Sequence, residues 1–236
     1  MDPLDRPQDQ QKHAAAVAAV ALVEDGMAVG LGTGSTAAFA IAELGRRVAA
    51  GLRIVAIPTS ERSAAQAREL GIRLVDFASQ PRLDLTIDGA DEVARGSLDL
   101  IKGLGGALLR EKIVACASDR LVIVADRSKL VDRLGGATPV PVEVVPFGWQ
   151  TTAARIARLG GDPRLRPGTN GEAYRTDGGN LILDCAFGPI ADPAALELAL
   201  ARTTGVIETG LFVGLASIAL VAGPDGIERL VAPTPR

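Results

Sequence analysis

Short apolar runs alternate with longer amphipathic or alanine-rich segments along the first half of the chain. The short runs predict β-strands over 27–31, 53–57, 83–87 and 121–125, and the longer segments predict helices over 9–25, 36–50, 60–70 and 106–118. This regular alternation predicts a doubly wound, mostly parallel α/β sheet with helices on both faces. Ligands of such folds bind beyond the carboxyl ends of the strands, so the loops that follow the strands are where chemistry is expected.

The pattern changes near Gly135, where three prolines interrupt a strand-like segment. Beyond them the sequence predicts a helix over 151–159, a hairpin turn at 177–179, a strand over 181–185 and a helix over 192–202. From Val206 the chain is again apolar and rich in strand-forming residues. We therefore predict an α/β domain formed by residues 1–134 and 206–236, with a smaller α+β domain over 135–205 inserted near the C-terminus.

The composition narrows the classes of function. Among 236 residues, 25 are Lys or Arg and 28 are Asp or Glu, and the net charge of −3 disfavours a nucleic-acid partner. One histidine, His13, and two widely spaced cysteines, Cys116 and Cys185, leave too few ligands for a zinc site built from these residues. We expect both cysteines to be buried free thiols, which fits a reducing cytoplasm.

Two apolar stretches resemble membrane or targeting segments only superficially. The run over 14–23 is mostly alanine, and acidic residues precede it where a signal peptide has basic ones. The stretch over 211–222 is shorter than the roughly 20 residues that span a bilayer. We therefore expect no membrane partner.

A glycine-rich turn, GLGTGST over 30–36, joins the first predicted strand to a helix. Glycines let backbone amides approach an anion, and the N-terminus of the helix adds a positive dipole. The turn lacks the lysine of a P-loop, and neither Ser35 nor the end of the next strand fits a dinucleotide site. The turn predicts an anion site in which Ser35 and Thr36 add donors, or else only a tight strand-to-helix turn. The hydroxyls of Thr59 and Ser60 suit a second set of phosphate or sugar contacts.

The segment DLTIDGADEV, over 84–93, places Asp88, Asp91 and Glu92 directly after an apolar strand. Carboxylates at this end of a parallel strand lie where ligands bind, and they could hold sugar hydroxyls or move protons. The alternative is a helix cap followed by solvated acidic residues. The residues alone leave both interpretations open.

A third segment, KGLGGALLREK over 102–112, combines a glycine-rich loop with a helix. Only four of the 25 basic residues are lysines, whereas the others are arginines. The presence of Lys102 beside this loop therefore indicates that the position requires a compact positive charge. Glu111 has apolar neighbours three and four positions away along the helix, which predicts that it faces the protein. Burial raises the pKa of a carboxyl group and suits a general base. The alternative is a partly buried glutamate paired with an arginine or lysine.

A fourth segment, LVIVADRSKLV over 121–131, places Asp126, Ser128 and Lys129 at another strand end. Lys129 could neutralise a phosphate group. From the residues alone, we favour a solvated turn lysine.

Together, GLGTGST, TIDGADEV, KGLGGALLREK and VADRSKLV resemble the segments of the type A ribose-5-phosphate isomerase family, in order and spacing, over nearly the whole chain. The resemblance implies interconversion of ribose 5-phosphate and ribulose 5-phosphate in the pentose phosphate pathway, with no metal or cofactor. It also implies a doubly wound α/β domain with a smaller inserted α+β domain, and an oligomer, for which we expect a homodimer.

The resemblance also implies roles for individual residues. The substrate-binding residues would be Thr33, Gly34, Ser35, Thr36, Asp88, Gly89, Ala90, Asp91, Lys102, Gly103, Leu104, Gly105 and Lys129. Glu111 would be the general base, and Asp88, Asp91 and Lys102 the other catalytic residues. Leu104 stands where the family usually has a glycine, and its more restricted dihedral angles put the positioning of that loop in question.

The implied reaction is proton abstraction next to a carbonyl group. We expect Asp88 to exchange protons with the sugar during ring opening. Glu111 then moves a proton from carbon 2 to carbon 1 through an enediolate. Lys102 and the amides of the glycine loops would stabilise the negative oxygen, and the phosphate would supply binding energy for orientation.

Other functions of this fold class fit less well. A sugar-phosphate sensor without enzymatic activity usually carries a DNA-binding helix-turn-helix ahead of the sheet, and here the predicted sheet domain begins almost at once. An amino-sugar phosphate deaminase would need a histidine in the site, whereas His13 falls in the first predicted helix. An acyl-CoA transferase would be longer and would need a coenzyme A site.

Overall fold

The computed structural model describes residues 6–169 and 171–233. The first part of the chain forms α1 (Pro7–Val20), β1 (Ala28–Leu31), α2 (Ser35–Ala49), β2 (Val55–Pro58) and α3 (Glu61–Glu69). The middle part forms β3 (Leu85–Gly89), β4 (Glu92–Ala94), β5 (Leu100–Ile101), α4 (Leu108–Cys116), β6 (Leu121–Asp126) and β7 (Leu130–Val131). The last part forms β8 (Val140–Val144), α5 (Trp149–Arg158), β9 (Asp162–Leu165), β10 (Leu181–Ala186), α6 (Pro193–Ala201), β11 (Val206–Thr209), β12 (Leu211–Phe212), β13 (Ile218–Gly223) and β14 (Gly226–Val231).

A six-stranded sheet with the order β14-β13-β6-β3-β1-β2 forms the centre of the molecule. Its strands are parallel except for the antiparallel hairpin of β13 and β14. Every residue of β1 and β6 is buried, because α1 and α2 cover one face of the sheet and α4 packs on the other. The predicted α/β fold with a doubly wound, mostly parallel sheet is confirmed.

A separate antiparallel sheet with the order β11-β8-β10-β9 packs with α5 and α6 around its own apolar core. The predicted turn at 177–179 forms, since the amide of Gly179 donates to the carbonyl of Thr176 at 2.8 Å. It is not a tight hairpin turn between two strands, because it lies near the end of a long loop, residues 166–180, that joins the paired strands β9 and β10. β11 belongs to this sheet although it follows residue 205, and the domain boundaries stay a prediction.

A third sheet, β12-β5-β4-β7, has strands of only two or three residues, too short for a hydrophobic pattern to reveal. Its strands hold two of the loops singled out in the sequence. β4 begins directly after Asp91, and β5 ends directly before Lys102. The amide of Lys102 donates to the carbonyl of Gly210 at 2.8 Å, which fixes the start of the glycine-rich loop.

Several local details differ from the sequence predictions. α1 begins at Pro7 and not at residue 9, because proline suits the first helical turn, and it ends at Val20. Asp9 is therefore no cap; it accepts a hydrogen bond from Arg6 at 2.7 Å. Both cysteines are free, but only Cys185 is buried, so the expected burial of Cys116 is wrong: this residue faces solvent at the end of α4. Within the described parts of the chain, each helix is too short or too polar to span a bilayer.

Candidate active site

A cavity of about 140 Å³ lies where the loops after β1, β3 and β6 meet. These strands are neighbours in the parallel sheet, so their carboxyl ends share one edge. The residues that line the cavity are Gln8, Lys12, Thr33, Gly34, Ser35, Thr36, Gly89, Ala90, Asp91, Lys102, Gly103, Gly105, Glu111 and Lys129. The structure thus brings together residues from all four sequence segments.

Two of the substrate-binding residues that the resemblance implies do not line this cavity. Asp88 lies beneath the cavity floor and is 1% exposed. Leu104 is 45% exposed and forms no part of the wall. The loop accommodates this leucine because its positive φ angles fall on Gly103 (+105°) and Gly106 (+83°), whereas Leu104 needs none. The departure from the glycine pattern therefore leaves the loop's backbone intact.

The glycine turn is held from behind by hydroxyl groups. Thr33 Oγ1 lies 2.7 Å from Thr59 Oγ1 and 2.8 Å from Ser60 Oγ, and Ser63 Oγ donates to the carbonyl of Gly32 at 2.7 Å. The expectation that Thr59 and Ser60 contact substrate is wrong, because they support the turn and do not line the cavity. This support leaves the first turn of α2, which begins at Ser35, directed at the cavity.

We expect Gly32→Ala to destabilise the protein by about 1–3 kcal/mol, because an added methyl group overpacks this position. A Cβ atom at Gly32 would lie 2.2 Å from Asp88 Oδ1 and 2.6 Å from its Cα. Thermal unfolding measures the loss. Gly136→Ala is the control, since a Cβ atom there meets nothing within 4 Å. Equal unfolding temperatures for the two variants would contradict this packing.

Three buried charged groups lie at the floor of the cavity or directly beneath it. Lys102 Nζ lies 3.0 Å from Asp88 Oδ2 and 3.5 Å from Glu111 Oε2, and it donates to the carbonyl of Gly89 at 2.5 Å. Each of the three side chains is at most 3% exposed. Asp88 Oδ1 accepts the amides of Thr33 (3.0 Å) and Gly89 (2.7 Å). Asp88 Oδ2 and Glu111 Oε2 accept no well-aligned hydrogen bond from the described residues, so only the charge of Lys102 compensates them.

The surroundings of Glu111 shift its titration towards neutral pH. Burial raises the pKa of Glu111 to about 8; the Lys102 ammonium opposes this rise, and the carboxylates of Asp88 and Asp91 add to it. Burial also raises the pKa of Asp88 despite the attraction of Lys102. Burial alone would lower the pKa of Lys102, but the neighbouring carboxylates, Asp88 first, raise it, and the ammonium keeps its charge. Glu111 can therefore take up and release a proton beside a fixed positive charge.

The cavity mouth contains two residues that the sequence reasoning missed. Gln8 and Lys12 reach it from α1, and Gln8 Nε2 donates to Asp126 Oδ2 at 3.3 Å, close to the turn that carries Lys129. Lys12 and Lys129 both line the cavity at its mouth. The scarcity of lysine was the signal available, because three of the four lysines of this chain line the cavity.

Comparisons with known proteins agree with this geometry. The family model described as ribose 5-phosphate isomerase A (phosphoriboisomerase A) matches residues 55–226. A curated relative from Gloeobacter violaceus, named ribose-5-phosphate isomerase A, is 63% identical over 222 residues, which cover 94% of this chain and 96% of the relative. A relative of the same name from Synechococcus is 57% identical over 94% of this chain and 97% of its own length.

Solved structures show the same likeness. The ribose 5-phosphate isomerase A of Methanocaldococcus jannaschii superposes with a TM-score of 0.91 at 39% identity, covering 94% of this chain and 99% of that one. A D-ribose-5-phosphate isomerase in complex with phospho-erythronic acid superposes with a TM-score of 0.93 at 37% identity, covering 96% of this chain and all of that one. The chain therefore belongs to the ribose 5-phosphate isomerase A family.

Proposed function

We propose that this chain interconverts D-ribose 5-phosphate and D-ribulose 5-phosphate, with Glu111 as the base that moves the proton. The observation that supports this most strongly is the buried Glu111–Lys102 pair at the floor of a cavity. A base and a fixed cation at this distance can remove a proton and neutralise the negative oxygen that results. The phospho-erythronic acid bound by the relative carries a carboxylate where the substrate has its reacting carbons, and so resembles an enediolate.

The reaction proceeds in three proton transfers. The Glu111 carboxylate takes the proton from carbon 2 of the open-chain aldose, the C–H electrons form a double bond to carbon 1, and the carbonyl oxygen becomes negative. Lys102 stabilises this enediolate oxygen. A proton then passes from the oxygen on carbon 2 to the oxygen on carbon 1. Glu111 finally returns its proton to carbon 1, which leaves a ketone at carbon 2. No net electron leaves the substrate.

Ring opening is the step for which the site offers two carboxylates. Asp91 lines the cavity, whereas Asp88 lies beneath it and faces the Lys102 ammonium. We retain the prediction that Asp88 takes part, acting through Lys102, with Asp91 as the group in direct reach of the sugar. A variant defective only in ring opening would convert the open-chain fraction of the substrate at the normal rate and then slow to the rate of opening.

The phosphate group belongs at the cavity mouth, between the first turn of α2 and the lysines Lys12 and Lys129. We expect Lys129→Met to raise KM for ribose 5-phosphate by about tenfold with little change in kcat, because one charge-assisted contact is lost far from the reacting carbons. Steady-state kinetics measure this. An equal fall in kcat with unchanged KM would place Lys129 at the chemistry instead.

The direct test of the function is incubation of the purified chain with ribose 5-phosphate alone. Ketose should form without added metal, and EDTA should leave the rate unchanged. A sugar-phosphate sensor of related fold would bind the compound without converting it. Binding without ketose formation would therefore reject the proposed activity and support that alternative.

The rate should depend on pH through Glu111. Its raised pKa, about 8, means that much of the free enzyme holds the inactive, protonated carboxyl group at pH 7. We expect kcat/KM to rise with pH and to level off above the pKa of this group. A profile that is flat between pH 6 and pH 9 would contradict the assignment of Glu111 as the base.

We further propose that the protein is a homodimer in the cytoplasm. Large apolar side chains that are exposed on the single chain support association, among them Phe147 (94% exposed), Leu198 (52%) and Ile113 (48%). The free thiols of Cys116 and Cys185 are consistent with a reducing compartment. Light scattering on the purified protein measures the mass of the assembly.

A further inference from the structure

An arginine outside the cavity holds the glycine-rich loop that forms one of its walls. Arg166 directly follows β9, an edge strand of the antiparallel sheet, and its side chain is 11% exposed. Its Nη1 donates to the carbonyl of Gly103 at 2.9 Å and to that of Leu104 at 3.1 Å. The other edge of the guanidinium donates to Asp184, from Nε to Oδ2 at 2.9 Å and from Nη2 to Oδ1 at 2.5 Å. Asp184 therefore fixes the arginine in the orientation that reaches the loop.

The two carbonyl contacts fix the direction of two consecutive peptide groups. In a trans peptide the N–H points opposite to the C=O. With the carbonyl of Gly103 turned to Arg166, the amide of Leu104 points the other way and donates to Asp91 Oδ2 at 2.9 Å. With the carbonyl of Leu104 also turned to Arg166, the amide of Gly105 is directed away from the arginine. Gly105 lines the cavity, and no acceptor among the described residues takes its N–H.

A tyrosine from the same loop as Arg166 packs beside it, against the next part of the glycine-rich segment. The guanidinium carbon of Arg166 lies 5.7 Å from the centre of the Tyr174 ring. A Cβ atom at Gly106 would lie 2.0 Å from the Tyr174 hydroxyl oxygen, so the tyrosine packs directly against the loop backbone. Residues of the loop between β9 and β10 thus contact both ends of the glycine-rich segment.

We propose that Arg166 is a positioning residue for catalysis: it orients the peptides of Gly103–Gly105 so that the Gly105 amide faces the reacting oxygens and the Leu104 amide holds Asp91. This rests on the proposed isomerase function. The antiparallel sheet and the loop between β9 and β10 then contribute to the chemistry without contacting the substrate, because they supply Arg166, Asp184 and Tyr174. Arg166 lies outside the cavity, so a loss of activity on its removal must act through the loop.

We expect Arg166→Met to lower kcat about 100-fold, the effect of losing one oriented oxyanion donor, while KM for ribose 5-phosphate changes less than threefold. Affinity for phospho-erythronic acid should fall with kcat/KM, because its carboxylate uses the same donor. Inhibition by inorganic phosphate should be unchanged, because that ligand needs only the cavity mouth. Arg166→Lys, whose single ammonium cannot hold both carbonyls and Asp184, should show about a tenfold loss and serves if the methionine variant does not fold.

Arg164→Met is the matched control. Arg164 lies on β9, two residues before Arg166, and also pairs with an aspartate, Asp162, but its side chain is 80% exposed and contacts no part of the loop. This control should retain the kcat of the unaltered protein. The proposal is overturned if a folded Arg166 variant keeps kcat within threefold of that value. It is also overturned if inorganic phosphate and phospho-erythronic acid weaken equally, since Arg166 would then hold the whole cavity together.

Hydrogen exchange separates this inference from the proposed function. The amide of Leu104 is protected in the free protein by its bond to Asp91, and we expect Arg166→Met to remove that protection with little change at the core strand β6. This readout needs no turnover. If the unaltered protein did not isomerise ribose 5-phosphate, the proposed function would be rejected. The exchange measurement would still show whether Arg166 holds the loop. Unchanged exchange at Leu104 would overturn the inference even in an active enzyme.

Discussion

Glu111→Gln should lower kcat by about 10³- to 10⁴-fold, the upper part of the range for general acid–base catalysis. The amide has the size of the carboxylate but cannot accept a proton from carbon. Because Glu111 lies at the floor and the proposed phosphate site at the mouth, KM for ribose 5-phosphate should change little. Steady-state kinetics and inhibition by phospho-erythronic acid measure the two effects separately. Glu69→Gln, at an exposed glutamate of α3, is the control and should be fully active.

The same substitution should change how stability depends on pH. Burial raises the pKa of Glu111 above its unfolded value, so the folded state holds the proton more tightly. The stabilisation from this proton is fully present below the unfolded pKa and is lost as pH rises through about 8. Glu111→Gln, which is neutral at every pH, should therefore gain stability relative to the unaltered protein as pH rises. Denaturant unfolding at pH 6 and pH 9 measures the difference. A variant that lost stability relative to the unaltered protein over this interval would contradict the burial of an ionisable carboxyl group.

Lys102→Met should lower kcat about 10²- to 10³-fold, because the enediolate oxygen loses its cation. It should also destabilise the fold by about 3–5 kcal/mol, since removing one partner of a buried ionic cluster leaves the others uncompensated. Asp88 and Glu111 would then take up protons, and Glu111 would no longer serve as a base near neutral pH. Kinetics on the folded fraction, together with denaturant unfolding, separate the catalytic from the structural loss.

Lys112→Met is the matched control for this prediction. Lys112 is also a buried lysine; it pairs with Glu197 at 2.9 Å and Glu208 at 2.7 Å, and lies 4.9 Å from the centre of the Phe212 ring that Lys102 also faces. It does not line the cavity. The control should lose stability but keep kcat in its folded fraction. Equal losses of kcat in both variants would mean that the charge at Lys102 acts only through folding.

Much of this site can be predicted from the sequence because the topology of a parallel sheet brings its loops together. Adjacent parallel strands end at one edge of the sheet, so the convergence of the loops after β1, β3 and β6 can be predicted without knowing their side-chain contacts. The inward direction of Glu111 follows from helical periodicity alone. For Lys129 the residues favoured a solvated position, and only the family resemblance implied a place in the site, where the structure puts it at the cavity mouth.

Contacts between distant segments lie beyond this kind of prediction. Lys12 and Gln8 reach the cavity because of how α1 packs across β6 and β13, which no local pattern specifies. Arg166 lies 62 residues from Leu104 and follows β9, a strand of the antiparallel sheet. Asp88 beneath the floor accepts the amide of Thr33, which belongs to a turn 55 residues earlier in the chain. The short strands β4, β5 and β12 carry too few residues for a period to show.

The most direct test of the central claim, that the titrating carboxyl group of Glu111 faces the reacting carbons, is the inhibition constant of phospho-erythronic acid between pH 7 and pH 9.5. We expect the carboxylate of this acid to occupy the enediolate position, so it should bind best when Glu111 is protonated. We expect this constant to rise up to tenfold per pH unit above about pH 8 in the unaltered protein, and to stay flat in Glu111→Gln. The same slope in both proteins, or none in either, would show that Glu111 does not face the bound acid and would overturn its assignment as the base.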